Sequence, residues 1–119
     1  MKDDRVYLTH ILECIQRVRE YTHDDYDTFK GSTLVQDATI RNLQIMSEST
    51  QRISQTIKDS NSDIDWRRIA GLRNVLTHDY LSIDLEVVWN IVVQYLPDFQ
   101  NQIQSILDGL EAAASDSEE

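Results

Sequence analysis

Apolar residues recur every three or four positions along most of this chain, and very little interrupts them. Leu8, Ile11, Leu12, Ile15 and Val18 make one stripe over residues 5 to 22. At 3.6 residues per turn such spacing lines one face of a helix, whereas a half-buried strand alternates every second residue. The chain has 3 Gly and 1 Pro in 119 residues, too few for the many tight turns of a sandwich or barrel. These features predict an all-α domain, a four- to five-helix antiparallel bundle.

The same periodicity divides the chain. Residues 23 to 31 read as a connection, and Gly31-Ser32 as a break with an N-cap. A long second helix follows over 33 to 58, with Thr39, Leu43, Met46, Thr50, Ile53 and Ile57 along a coiled-coil-like seam. Ile40 and Ile45 widen its apolar surface, as expected for two packing neighbours or a dimer partner. Asp63 or Asp65 can cap a third helix whose Trp66, Ile69, Leu72 and Leu76 point inward. Ser82 or Asp84 can cap a fourth, striped by Leu85, Val88, Trp89, Val92, Tyr95 and Leu96. Pro97 kinks that helix or starts a new one, and the periodicity runs on to about residue 112. Residues 1–112 thus form the domain, and the acidic stretch 113–119 is expected to be a disordered tail.

Several function classes are excluded or weakened. No apolar run approaches the ~20 residues of a membrane span, and Met1-Lys2-Asp3-Asp4 has no signal-peptide core. The lone Cys14 flanks the first stripe and reads as a buried, inert thiol in a reducing cytoplasm. The net charge of −10 opposes long-range attraction to nucleic acid, though half of it lies from Asp108 onward. Asp24, Asp25 and Asp27 cluster, but no further ligand pattern accompanies them, so a solvated loop is expected and no metal site. No cofactor is indicated. His10 and His23 read as surface or helix-end residues.

One stretch concentrates chemistry. Arg73, His78 and Tyr80 fall within eight residues at the C-terminal end of the third helix. Arg73 can hydrogen-bond two phosphate oxygens, and an imidazole can exchange a proton near neutrality. RNA brings its own nucleophile, the 2′-hydroxyl, so this pair suffices for phosphodiester cleavage without a metal. A capping and ion-pair cluster at a helix end has the same composition. Residues five apart are about 140° apart around a helix. The helix must therefore end near Thr77, or a second chain must complete the site. Arg67, Arg68 and Arg73 on the third helix, joined by Arg41 or Arg52, are candidates for local RNA contact; the third-helix group would equally suit a salt-bridged face.

With Trp66, Gly71-Leu72, Ile83-Asp84, Val88-Trp89 and Leu96-Pro97 around it, Arg73-x4-His78-x-Tyr80 resembles the HepT-like branch of the HEPN families. Tyr7-Leu8, Ile11-Leu12, Phe29 and Arg41-Asn42-Leu43 extend the resemblance over most of residues 5 to 107. It implies a HEPN bundle, a homodimer, and the toxin of a type VII-like toxin–antitoxin pair. Arg73 and His78 then become the endoribonuclease pair, acting on an RNA such as tRNA or mRNA. Tyr80 becomes the tyrosine AMPylated by an MntA-like minimal nucleotidyltransferase antitoxin. Asn74, Asp79 and Glu48 are supporting candidates. At Ser47-Glu48-Ser49 the chain departs from the family's frequent Gly-Glu-Ala, which bears on how closely helices pack there. The alternative is a non-catalytic helical subunit that presents substrate to a nucleotidyltransferase.

Overall fold

The structure, a computed structural model, describes residues 3–77 and 83–118; for Arg73, Asn74, Val75, Thr77 and residues 116–118 it describes the backbone alone. The described residues are helical and connecting segments with no strand. In chain order the helices are α1 (Asp4–Thr22), α2 (Tyr26–Lys30), α3 (Thr33–Gln51), α4 (Gln55–Ser60), α5 (Trp66–Thr77) and α6 (Leu85–Asn90). A π-helical turn (Ile91–Tyr95) joins α6 to α7 (Leu96–Glu118).

The apolar stripes meet in one core. Leu8, Ile11, Ile15 and Val18 of α1, Leu43 and Met46 of α3, Ile69 and Leu76 of α5, and Phe99 and Ile103 of α7 are at most 1% exposed. Helix α3 lies between α1 and α5, and α7 closes against the other side of α1. Asp4, at the start of α1, contacts Ser54 beyond the end of α3; Arg19, near the end of α1, contacts Gln100 near the start of α7. Both neighbours therefore run antiparallel to α1. Ser47 and Ser49 are fully or nearly fully buried. The two serines in place of the family's smaller pair are accommodated, and Ser47 Oγ donates to the Gln44 carbonyl at 2.9 Å.

Boundaries differ from the sequence expectation where side chains stop the helix. The expected single helix over 33 to 58 is broken into α3 and α4. Ser54 caps α4 by accepting from Ile57 N, and the Asp4 carboxylate binds Ser54 through both its N–H (2.8 Å) and its hydroxyl (2.7 Å). A partner fifty residues away ends the helix, and no local pattern announces it. In the expected connection 23–31, Asp25 accepts from Thr28 N and Oγ1 and starts α2. Asp24 pairs with Arg19, and His23 ends α1 in the left-handed conformation. Asp65, not Asp63, caps α5 by accepting from Arg68 N; Asp84 caps α6, and Ser82 lies outside the described residues.

Pro97 sits in the first turn of α7, one of the two expected outcomes, and the chain stays helical across it. The i→i+5 turn before it places Leu96 N on the Ile91 carbonyl, and Ile91 and Leu96 both keep right-handed helical angles. A wider turn relieves the clash between a proline ring and the preceding carbonyls. If straight, the rod from Leu85 to Glu118 would span about 51 Å at 1.5 Å per residue, close to the 52 Å long axis. Residues 113–118, expected as a tail outside the bundle, continue α7 as helix. Three alanines with no Gly or Pro after Gly109 favour that state.

Aromatic rings join the short helices to the rod. Phe29 of α2 stacks on Trp89 of α6 at 5.3 Å, and Tyr26 meets Trp89 edge-on. Tyr26 and Lys30 both bond Glu86, which raises the Tyr26 pKa and lowers that of Glu86. Cys14 is 2% exposed, and burial pushes its thiol above the ordinary range, so it is a poor nucleophile. Thr39, fully buried on the seam of α3, has a hydroxyl with no hydrogen-bond partner among the described residues. Thr39→Val should therefore stabilise the fold by about 1 kcal/mol, because it removes an unpaired buried hydroxyl at nearly constant shape. Urea unfolding with an unchanged m-value would measure the gain.

Candidate functional site

The third apolar stripe becomes α5, which carries Arg73 and Asn74 in its C-terminal half. The side chains of Arg73 and Asn74, and all of His78, Asp79 and Tyr80, lie outside the described residues. What is described is the seat on which this stretch rests. Leu76 is completely buried and anchors the last turn of α5 in the core. Its carbonyl accepts a 2.9 Å hydrogen bond from Gln44 Nε2 of α3.

That bond is informative about position. The last four carbonyls of a helix have no partner within it and must find one elsewhere. The last turn of α5 has no basic residue to supply one. Gln44 does so from thirty-two residues away, and it ties the middle of α3 to the turn that leads into His78.

Gln44 belongs to a polar stripe on α3. Asp37, Arg41, Gln44 and Glu48 recur at steps of four, three and four, which keeps them on one side of the helix. Arg41 and Glu48 stand one turn to either side of Gln44 and open onto different clefts. Asp37, Ile40, Arg41 and Gln44 face Ile83 and Leu85 across a cleft of about 430 Å³. Glu48 and Arg52 face Tyr7 and His10 of α1 across a second, of about 360 Å³. Glu48 is exposed and lies in that groove.

The arginines singled out in the sequence do not form one patch. Arg68 lies over the Tyr95 ring at 5.4 Å, where burial raises the Tyr95 pKa to about 12 while Arg68 acts in the opposite direction. Arg67 opens onto a cleft that also holds Asp59, Asp63 and Asp65. Arg52 and Arg41 occupy two further clefts. Asp24 and Asp25 are engaged by Arg19 and Thr28. No group of three or more His, Cys, Asp or Glu side chains placed to hold a metal ion occurs among the described residues. No helix among them is long and apolar enough to cross a membrane. Sequence reasoning missed the role of Gln44. Its spacing from Arg41 and Glu48 was visible, but its partner carbonyl was not.

Comparison with known proteins gives this geometry a context. Residues 11–106 match the family model described as ribonuclease HepT-like. A Methanocaldococcus jannaschii protein, whose name pairs a gamma-glutamylcyclotransferase with an RNase, is 33% identical over 92% of this chain. The chain spans 50% of the length of that relative. The mRNA nuclease HepT of Shewanella oneidensis is 28% identical, over 81% of this chain and 90% of its own length. A solved structure of the tri-AMPylated Shewanella oneidensis HEPN toxin in complex with MNT antitoxin superposes with a TM-score of 0.64 at 26% identity. The match covers 94% of this chain and 99% of that one.

Gln44→Leu removes the donor and leaves the Leu76 carbonyl without it. A loss of about 1–2 kcal/mol in urea unfolding is expected. Faster amide exchange should appear in the last turn of α5 but not in α1, and unaltered exchange there would refute the tie.

Proposed function

The chain belongs to the ribonuclease HepT-like family, and from that membership we propose that it is the RNase toxin of a toxin–antitoxin pair, silenced by AMPylation. The observation that carries this reading is the intact Arg73, His78 and Tyr80 set inside the stretch 11–106 that matches the family. Its counterpart is a minimal nucleotidyltransferase of the MNT kind, as in the complex of the Shewanella toxin. Messenger RNA is the first substrate to test, since the Shewanella relative is named an mRNA nuclease.

In this mechanism the substrate supplies the nucleophile. His78 takes the proton of a 2′-hydroxyl, and the oxygen attacks the adjacent phosphorus. The new 2′-O–P bond forms as the P–O5′ bond breaks, and the leaving 5′-oxygen takes up a proton. The products are a 2′,3′-cyclic phosphate and a 5′-hydroxyl, with no change of oxidation state. Arg73 hydrogen-bonds the non-bridging oxygens and offsets the charge that grows on them. One motif His per chain has to serve both proton transfers, so a homodimer with paired motifs suits the chemistry better than a monomer. Asn74, Asp79 and Glu48 orient this set. AMPylation of Tyr80 puts a phosphate beside Arg73, where it competes with RNA for the cation and adds repulsion. Residues 1–112 are the working unit, with 113–119 dispensable for cleavage, and the protein acts in the cytoplasm.

Purified protein should cleave RNA in EDTA and leave cyclic-phosphate ends. His78→Ala and Arg73→Ala should each lower the rate by at least about 10²-fold at equal stability. Chain ending at residue 112 should cleave as the full chain does. Cleavage that persists in both variants would sink the mechanism, and intact RNA would favour the substrate-presenting subunit. Incubation with the cognate nucleotidyltransferase and ATP should add AMP to a peptide containing Tyr80. Tyr80→Phe should abolish the gain in mass, and AMP on another tyrosine would overturn the assignment.

A further inference from the structure

The cleft between α3 and the start of α6 has no role in the chemistry above, yet it adjoins it. Its floor includes Gln44, the residue bonded to the last turn of α5. Its far wall, Ile83 and Leu85, follows the motif in sequence by three to five residues. The cleft therefore opens beside both ends of the stretch that carries His78 and Tyr80. At about 430 Å³ it is in the size range of sites that hold a small molecule, of ~300–1,000 Å³.

Arg41 is the telling side chain. It is exposed on a chain of net charge −10 and, unlike Arg5, Arg17, Arg19 and Lys30, forms no ion pair with a described carboxylate. Asp37 stands one turn before it, at the spacing that favours an ion pair. No such pair forms, and Arg41 has no hydrogen bond or ion pair with any described residue. Its guanidinium is thus available to an anion in the cleft. The neighbouring polar group is already committed: Gln36 donates to the carbonyls of Phe29 and Lys30 at 3.1 and 3.0 Å. Ile40, Ile83 and Leu85 supply an apolar wall. One guanidinium without a partner among the described residues and one apolar wall together fit a nucleotide, its phosphate on the cation and its base or sugar on the wall.

We propose that the cleft of Arg41, Ile40, Ile83 and Leu85 is a subsite for one nucleotide of the RNA strand next to the scissile phosphate, with Arg41 on that nucleotide's phosphate. The proposal rests on the RNase reading. Arg41 binds and does not take part in proton transfer, so it is a positioning residue. It acts on RNA through a short-range contact, which is how a chain of this charge can hold a polyanion at all. Asp37 works against it. A carboxylate beside a phosphate costs affinity, and that sets a ceiling on how tightly the strand is held.

The test uses the unmodified full chain and a short fluorescein-labelled 2′-O-methyl RNA, which binds but has no 2′-hydroxyl to attack. Arg41→Ala should weaken binding about tenfold at low salt. It should also make the slope of log K against log salt shallower by about 0.7, the value of one phosphate contact on a single strand. Arg41→Lys should keep the slope and lose part of the affinity. Asp37→Asn should tighten binding by about twofold. With cleavable RNA, Arg41→Ala should raise KM and leave kcat within about twofold. Arg17→Ala, on an exposed pair with Glu13, serves as the control. An Arg41→Ala variant with wild-type affinity and slope would overturn the subsite, as would weakened binding with an unchanged slope. Wild-type protein that binds this RNA but cleaves none would sink the RNase reading and leave the subsite standing. Wild-type protein that cleaves RNA without help from Arg41 would do the reverse.

Discussion

Helix α3 is buried on two sides at once, against α1 and against α5, and the remaining elements are arranged by that fact. A helix with one apolar stripe packs on one neighbour. The wider surface of α3, with Ile40, Leu43 and Met46 buried and Ile45 partly so, needs two. The buried hydroxyls of Ser47 and Thr50 bond carbonyls of their own helix, Thr50 to Ser47 at 2.6 Å, and leave the interface to apolar contacts; Thr39 is the exception among the described residues. The α1 neighbour ends the helix as well, because the Asp4 carboxylate claims Ser54. The α5 neighbour is where the candidate chemistry lies.

Burial on two sides leaves α3 one narrow polar stripe, and that stripe runs beside the end of α5. Gln44 uses it to hold the last turn of α5 in place, and Arg41 and Glu48 extend it in both directions. A motif of short spacing works only if the chain leaves its helix in a fixed direction. A side-chain bond to a terminal carbonyl, together with the buried Leu76, supplies that constraint at a position where no glycine or basic residue does.

Electrostatics explains why such a protein needs a local arrangement. A basic nucleic-acid binder gathers RNA by its general field, and this chain repels it. The described arginines do not compensate as a patch. Arg68 is spent on Tyr95, Arg19 on Asp24 and Gln100, and Arg67 faces a cleft edged by carboxylates. Specific contacts at close range must then do the holding, and a negatively charged group such as an adenylate would unbalance them readily.

Much of the fold was legible in the residues alone. The stripes of Leu8 to Val18 and of Phe99 to Leu107 face the core as their spacing requires, because helical period and burial are linked by geometry. The Arg73-x4-His78-x-Tyr80 pattern, too, is a property of the sequence. Helix boundaries were less legible. The break at Ser54, the short α2 and the π-helical turn before Pro97 depend on partners or backbone adjustments that local spacing does not encode. Tertiary structure alone decided that Gln44 reaches the Leu76 carbonyl and that Arg41 faces a cleft instead of pairing with Asp37. Sequence thus determined which residues carry apolar surface and chemistry, since those are properties of side chains. Only the packed structure decided which of them meet, because that depends on how α1, α3 and α5 are set against one another.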